Sequence, residues 1–162
     1  KELYDSNAID ITPMVEVEKI LVVIARKHSN TTKRCHSAKK LSKEGGEPYK
    51  YELKARVDTI VGYEYISGIV NVTLKPIEGQ AEKKMATYTV KDGTRYDLTL
   101  FRMNEEKECF VIRVKKSTGE QGCELLTILD KKDDVPQNCK SFFETDCHGK
   151  EIQLYEKNCA YY

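Results

Sequence analysis

The chain shows no excess of charge of either sign. Its 162 residues carry 27 Lys and Arg against 26 Asp and Glu, a formal net charge of +1. That balance argues against a nucleic-acid surface, where basic excess or basic clustering is usual. No apolar run approaches the length of a membrane span, and the longest, residues 20–25, is one strand's worth. No apolar secretion segment opens the chain, so the expectation is a protein either cytosolic or already processed. There is no Cys-x-x-Cys, and His28, His36 and His148 are scattered. A zinc site wants ligands paired at close spacing, so neither a metal nor a cofactor is expected. Gly-x-Ser-x-Gly is missing and no Ser is matched to a positioned His, so no catalytic residue is assigned and no enzyme is expected. Repeats, low-complexity tracts and Pro/Ser-rich linkers are also absent. At a length usual for one domain, the expectation is a single domain over residues 1–162.

What is present belongs to a folded chain. Hydrophobic residues make up 40% and charged ones 33%, which suits a globular protein and not disorder. Six cysteines stand at 35, 109, 123, 139, 147 and 159. An even number in a small chain reads as three disulfides. Two glycosylation acceptors, Asn30-Thr31-Thr32 and Asn71-Val72-Thr73, agree with an oxidising compartment. Together these features point to a mature, secreted, extracellular protein.

Strand patterns dominate. Residues 19–26 form a continuous β-branched run, as in a strand covered on both faces. Residues 49–57 alternate, with Tyr49, Tyr51, Leu53, Ala55 and Val57 on one face and Lys50, Glu52, Lys54 and Arg56 on the other. Residues 69–75 place Val70, Val72 and Leu74 inward and Asn71 outward, where a glycan is tolerated. Residues 85–90, 95–103, 108–115 and 123–129 supply four more strands. The connecting stretches 91–94, 104–107 and 117–120 have tight-turn chemistry. Consecutive hairpins at this spacing predict an all-β, up-and-down barrel. The charge runs Lys39-Lys40, Glu105-Glu106-Lys107 and 131–134 read as solvated loops.

The period then changes. Asp133 and Asp134 stand where a helix cap would, Pro136 suits a first turn, and Cys139, Phe142, Phe143 and Cys147 recur at helical steps before Gly149. One helix follows the barrel, then a short extended tail over 151–155, and a second short helix is expected within 4–15. Cys109 lies opposite Phe110, Ile112 and Val114, and Cys123 lies opposite Glu124, Leu126 and Ile128. With the apolar sides inward, both cysteines point outward to whatever packs on the barrel. That geometry favours helix-to-barrel disulfides without selecting among the fifteen connectivities that six cysteines allow.

The stretches Glu108-Cys-Phe-Val-Ile-Arg-Val114, Gly122-Cys-Glu-Leu-Leu-Thr127 and Asp134-Val-Pro-Gln-Asn-Cys139, with Phe142, Cys147 and Cys159, resemble the C-terminal half of tick salivary lipocalins, the histamine-binding-protein family. The resemblance covers about residues 85–159. It implies an eight-stranded antiparallel up-and-down lipocalin barrel with one or two flanking helices, secreted in saliva. It also implies the pairs Cys35–Cys159, Cys109–Cys139 and Cys123–Cys147. Amine-binding members carry an Asp and a Trp where this chain has Phe110 and Leu126. A buried ammonium needs a carboxylate partner and gains from an aromatic face, so those substitutions point to the apolar-pocket, Japanin-like branch of sterol binders that act on host immune cells.

The expected ligand wall is therefore Tyr51, Leu53, Val57, Val70, Val72, Leu74, Tyr88, Leu98, Leu100, Phe110, Ile112, Glu124 and Leu126, with Tyr96 as a further polar group. Such a wall suits a sterol or fatty-acid-like ligand with one polar head. Glu124 reads either as an anchor for a ligand or as a structural partner of a tyrosine hydroxyl or Arg102. The function expected is non-enzymatic sequestration of a small apolar ligand that modulates the host immune response. The alternatives are a scavenger of histamine or serotonin, and an immune modulator whose outer surface engages a host protein or cell.

Overall fold

The computed structural model describes residues 3–42 and 46–162. Among the described residues nine antiparallel strands are present: β1 (Leu21–Arg26), β2 (Arg34–Lys40), β3 (Tyr49–Thr59), β4 (Gly62–Ile77), β5 (Gln80–Thr89), β6 (Arg95–Met103), β7 (Cys109–Lys116), β8 (Gln121–Ile128) and β9 (Ile152–Gln153). They run in the order β2-β3-β4-β5-β6-β7-β8-β1-β9, and β1 also pairs with β2, which closes the first eight into a barrel. Sequential hairpins account for β2 through β8. The closure joins β1 to β8 along most of its length and to β2 at Leu21 opposite Ala38 and Val22 opposite Ser37.

Several elements differ from their sequence signals. Strand β2 was not legible, because Arg-Cys-His-Ser-Ala-Lys-Lys lacks the β-branched residues that mark a strand; its neighbours impose the extended state. The Lys39-Lys40 pair is accordingly part of a strand and not a solvated loop. The Lys40 ammonium reaches Glu18 at 3.2 Å, with its side chain 5% exposed. Strand β4 begins seven residues before the expected 69, and β5 begins five residues before the expected 85. Of the N-terminal segment, Asp5–Asn7 form a 3-10 turn and Thr12–Val15 the short helix α1.

Helix α2 spans Gln137–Asp146 with Pro136 at its N-cap, and no side chain caps it. Asp133 instead accepts hydrogen bonds from Tyr155 and Lys132. At the other end the Lys27 ammonium donates to the carbonyls of Phe143 (2.9 Å) and Cys147 (3.2 Å), where the helix dipole favours a cation. The helix buries Cys139 and Phe143 against Val22, Ile24, Val111 and Leu125 on the outside of the barrel. Disulfides Cys109–Cys139 and Cys123–Cys147 clamp it there, and Cys35–Cys159 ties the tail to β2. These are the pairs the family resemblance implies, and Cys109 and Cys123 do point away from the barrel axis.

Helix α1 crosses the end of the barrel where β1 begins and β2 ends. The Asp10 carboxylate, just ahead of the helix, accepts from the Thr12 hydroxyl and from the Lys84 backbone N–H. The Tyr51 hydroxyl donates to the Val15 carbonyl at 3.0 Å. The opposite end, ringed by the turns after β1, β3, β5 and β7, is open.

Candidate functional site

A cavity of about 380 Å³ lies inside the barrel, within the range of small-molecule sites. Its deep end is apolar. Ile11, Met14 and Val15 from the α1 segment close it, and Leu21, Val23, Ala38, Val72, Leu98, Ile112 and Leu126 form the wall. Its outer end is polar, with Arg26, Ser29, Asn30, Thr31, Lys33, His36, Lys116 and Glu124. Among the described residues that line it, Glu124 is the one acid, against the bases Arg26, Lys33, Lys54 and Lys116.

The polar end is assembled by two irregularities. The ladder between β1 and β8 shifts register between Val23 and Ala25. A bulge of this kind exchanges the faces of a strand, so Val23 and Arg26 both face the cavity while Ile24 and Ala25 face α2. In β2 the register shifts between Arg34 and Ser37, and Cys35 takes a φ of 59°. That places the Cys35 sulfur on Cys159 and His36 in the cavity. A third feature is Gly122. A Cβ there would lie 2.3 Å from the Lys27 carbonyl oxygen and 2.4 Å from the His28 Cβ. Only glycine lets the chain pass this close, and the passage delivers His28 to Glu124.

Glu124 Oε2 lies 2.7 Å from His28 Nε2 and 3.4 Å from an Arg26 terminal nitrogen. A carboxylate only accepts, so His28 Nε2 is the donor, and Ser29 Oγ sits 3.2 Å from the other ring nitrogen. Burial alone would raise the Glu124 carboxyl. The His28 hydrogen bond and the charges of Arg26, His28 and His36 outweigh it, and the group is held below its ordinary range as a carboxylate. His36 is pushed down to about 4, first by burial and then by Arg26, so it is neutral at pH 7. Arg26 Nε and His36 Nδ1 are buried without a hydrogen-bond partner among the described residues. Tyr88 and Tyr96 stack at 5.0 Å between centroids on the same wall. Burial, then the Glu124 charge, raises the Tyr88 hydroxyl and keeps it a donor.

Of the residues expected from the sequence, Tyr51, Leu53, Val72, Tyr88, Leu98, Ile112, Glu124 and Leu126 line the cavity, as does Tyr96. Val70, Leu100 and Phe110 are buried in the same apolar cluster without lining it, and Leu74 packs against that cluster. Val57 is half-buried near the end of β3, opposite Glu64. The Tyr51 hydroxyl is spent on α1 and is not a free polar group. Arg102 is no partner of Glu124; it is exposed and stacks on the Phe142 ring outside the barrel, 4.8 Å from the centroid. Sequence reasoning missed Arg26, His28 and His36. A strand buried on both faces has no alternation in which a bulge could be seen, and β2 gave no strand signal at all.

The model of the tick histamine binding protein family matches residues 10–161. The chain belongs to that family. The solved structure of Japanin from Rhipicephalus appendiculatus bound to cholesterol is similar in fold, with a TM-score of 0.66 over 88% of this chain and 96% of that one, at 13% identity. A designed fluorescence-activating β-barrel is similar at a TM-score of 0.42 and 13% identity, over 69% of this chain and 93% of that one. No curated protein matches the chain in sequence. The family match and the closed barrel establish a lipocalin-like small-ligand binder. Among the described residues no helix is long and apolar enough to cross a membrane, and no cluster of His, Cys, Asp and Glu has the geometry of a metal site.

Proposed function

We propose that the chain is a secreted, non-enzymatic carrier that sequesters one amphipathic lipid, a sterol or a fatty-acid-like molecule, with its body in the apolar depth and its polar head at Arg26 and His36. One observation carries this reading: the sole described carboxylate of the cavity is already engaged by His28 and Arg26. An ammonium would have to displace both partners to reach Glu124, and it would meet Lys33, Lys54 and Lys116 on the way in. Desolvating it without a free partner costs several kcal/mol, against the roughly 8 kcal/mol that micromolar affinity represents. A lipid head with a hydroxyl or carboxyl instead supplies what Arg26 Nε and His36 Nδ1 lack. Each CH₂ buried in the depth contributes about 0.8 kcal/mol. The cholesterol in the Japanin structure, whose fold this chain shares, supports the same class of ligand. Removal of such a lipid from host tissue is the route by which the protein would modulate host immunity.

Calorimetric titration of delipidated protein with cholesterol, arachidonate, histamine and serotonin tests the reading. The expected result is submicromolar binding of at least one lipid and none of either amine. Submicromolar amine binding that disappears in Glu124→Gln would overturn it in favour of an amine scavenger. A chain that bound none of the four would move the function to its outer surface.

A further inference from the structure

The outer half of β4 has a partner on one side only. β3 pairs with it residue for residue from Gly62 to Val72, without a register shift, while its pairing with β5 begins at Thr73. Thr59 and Gly62 close a two-residue turn and so form a hydrogen-bonded pair. Bonds along an antiparallel ladder alternate, so Gly62, Glu64, Ile66 and Gly68 give their backbone groups to β3. Tyr63, Tyr65, Ser67 and Ile69 turn theirs the other way. Among the described residues no other strand and no backbone hydrogen bond meets them there. The tail of the chain lies on the outer face of the hairpin and not along its edge. The Asn158 amide and the Ala160 N–H reach the Tyr63 and Tyr65 hydroxyls, and Arg56 stacks on the Tyr63 ring.

An open edge of this length is usually blunted by Lys, Pro or a bulge. Residues 62–69 contain neither Lys nor Pro, and their ladder runs without a bulge. Exposed apolar and aromatic side chains gather on the same segment. Ile60, Val61, Tyr63, Ile66 and Ile69 are all exposed, and elsewhere among the described residues only Tyr4 and Tyr162 are large, hydrophobic and exposed. The edge is also complementary to itself. Antiparallel pairing about a two-fold axis at Tyr65 sets Tyr65 opposite its own copy, Tyr63 opposite Ser67 and Val61 opposite Ile69. Aromatic and apolar pairs of this kind stabilise a sheet, and like charges directly opposite destabilise it. Glu64 meets Ile66 and not a second Glu64, while Asp58 stays on β3, 3.8 Å from Arg56. A register centred on Ser67 would put Val61 opposite Thr73 and drive the tip into β5. Asn71 lies beyond the paired segment and stays free for a glycan.

We propose that two copies of the chain pair through the outer halves of their β4 strands. The joined hairpins form one β3-β4-β4-β3 sheet, with the barrels at its opposite ends and their mouths turned towards each other. The contact does not depend on which ligand the cavity takes. Sedimentation equilibrium of the full chain, from micromolar to submillimolar concentration, should show monomers passing into dimers. Amide exchange over the same range locates the contact. The Tyr65 and Ser67 amides should slow by about tenfold or more as the dimer forms, while those of Glu64, Ile66 and Gly68, already bonded to β3, stay unchanged. Ser67→Pro removes an edge donor where an edge strand tolerates proline. The bond is lost twice by symmetry, so the variant should dimerise about tenfold more weakly, whereas Ser67→Ala, which keeps the N–H, should match the wild-type chain. Cooperative unfolding checks that both variants are folded. A chain that stays monomeric throughout would overturn the proposal and leave the edge to an extended segment of another protein. A dimer whose Tyr65 and Ser67 amides exchange as in the monomer would overturn it as well.

Discussion

His36 is a base buried beside Arg26, and its folded-state value of about 4 lies below its ordinary 6.5. Between those two pH values the unfolded chain holds a proton that the folded one does not. Stability therefore climbs with pH across that window, is complete above 6.5, and falls by roughly 3 kcal/mol on the way down to pH 4. Glu124, held below its ordinary 4.5, adds a further loss only as pH falls beneath that value. Urea unfolding at a series of pH values should show the slope, and His36→Gln should flatten it between 6.5 and 4.5. A second expectation concerns Gly122, whose added methyl would meet backbone atoms of Lys27 and His28. Gly122→Ala should cost about 1–3 kcal/mol by overpacking. It should also separate His28 Nε2 from Glu124 Oε2, now 2.7 Å apart, visible as a change in the His28 ring chemical shifts by NMR at fixed pH. None of this was legible beforehand. The sequence marks Glu124 as an acid on an apolar face, but its partners reach it through two register shifts and one close backbone passage, which leave no trace in periodicity.

At the scale of elements, the outer helix is held by one large side chain and two covalent bonds. Phe143 is 1% exposed and sits between the barrel wall and the Lys27 ammonium, which lies 4.7 Å from its ring centroid. Phe143→Ala should lower unfolding stability by about 3–5 kcal/mol, read as a shifted denaturant midpoint with an unchanged slope. The alternating strands were readable because one face is buried and the other wet. Strand β1 was readable because it is buried on both. β2 and the outer half of β4 were not, since their extended state comes from hydrogen bonds to β3 and not from their own side chains. Helix α2 was visible in the spacing of Cys139, Phe142 and Phe143, but its capping was misread, because Asp133 serves Tyr155 and Lys132 instead.

For the whole molecule, the two acceptor asparagines bear on how the barrel presents itself. Asn71 is exposed on β4, and Asn30 is exposed at the rim of the cavity. Expression through a eukaryotic secretory route should yield two N-glycans, each removable by peptide-N-glycosidase and each lost separately in Asn30→Gln or Asn71→Gln by intact-mass measurement. The barrel's closure has a different consequence. β1 and β2 meet at two positions near the α1 end. Towards the mouth their places are taken by the tail: Ala25 and Arg26 pair with Gln153 and Ile152, the Cys35 N–H donates to the Leu154 carbonyl at 2.9 Å, and Cys159 is bonded to Cys35. The wall there is a slit laced shut by the last dozen residues of the chain. A protease that trimmed those residues would unlace a side door beside Arg26 and His36, and a lipid could then leave sideways without passing the rim.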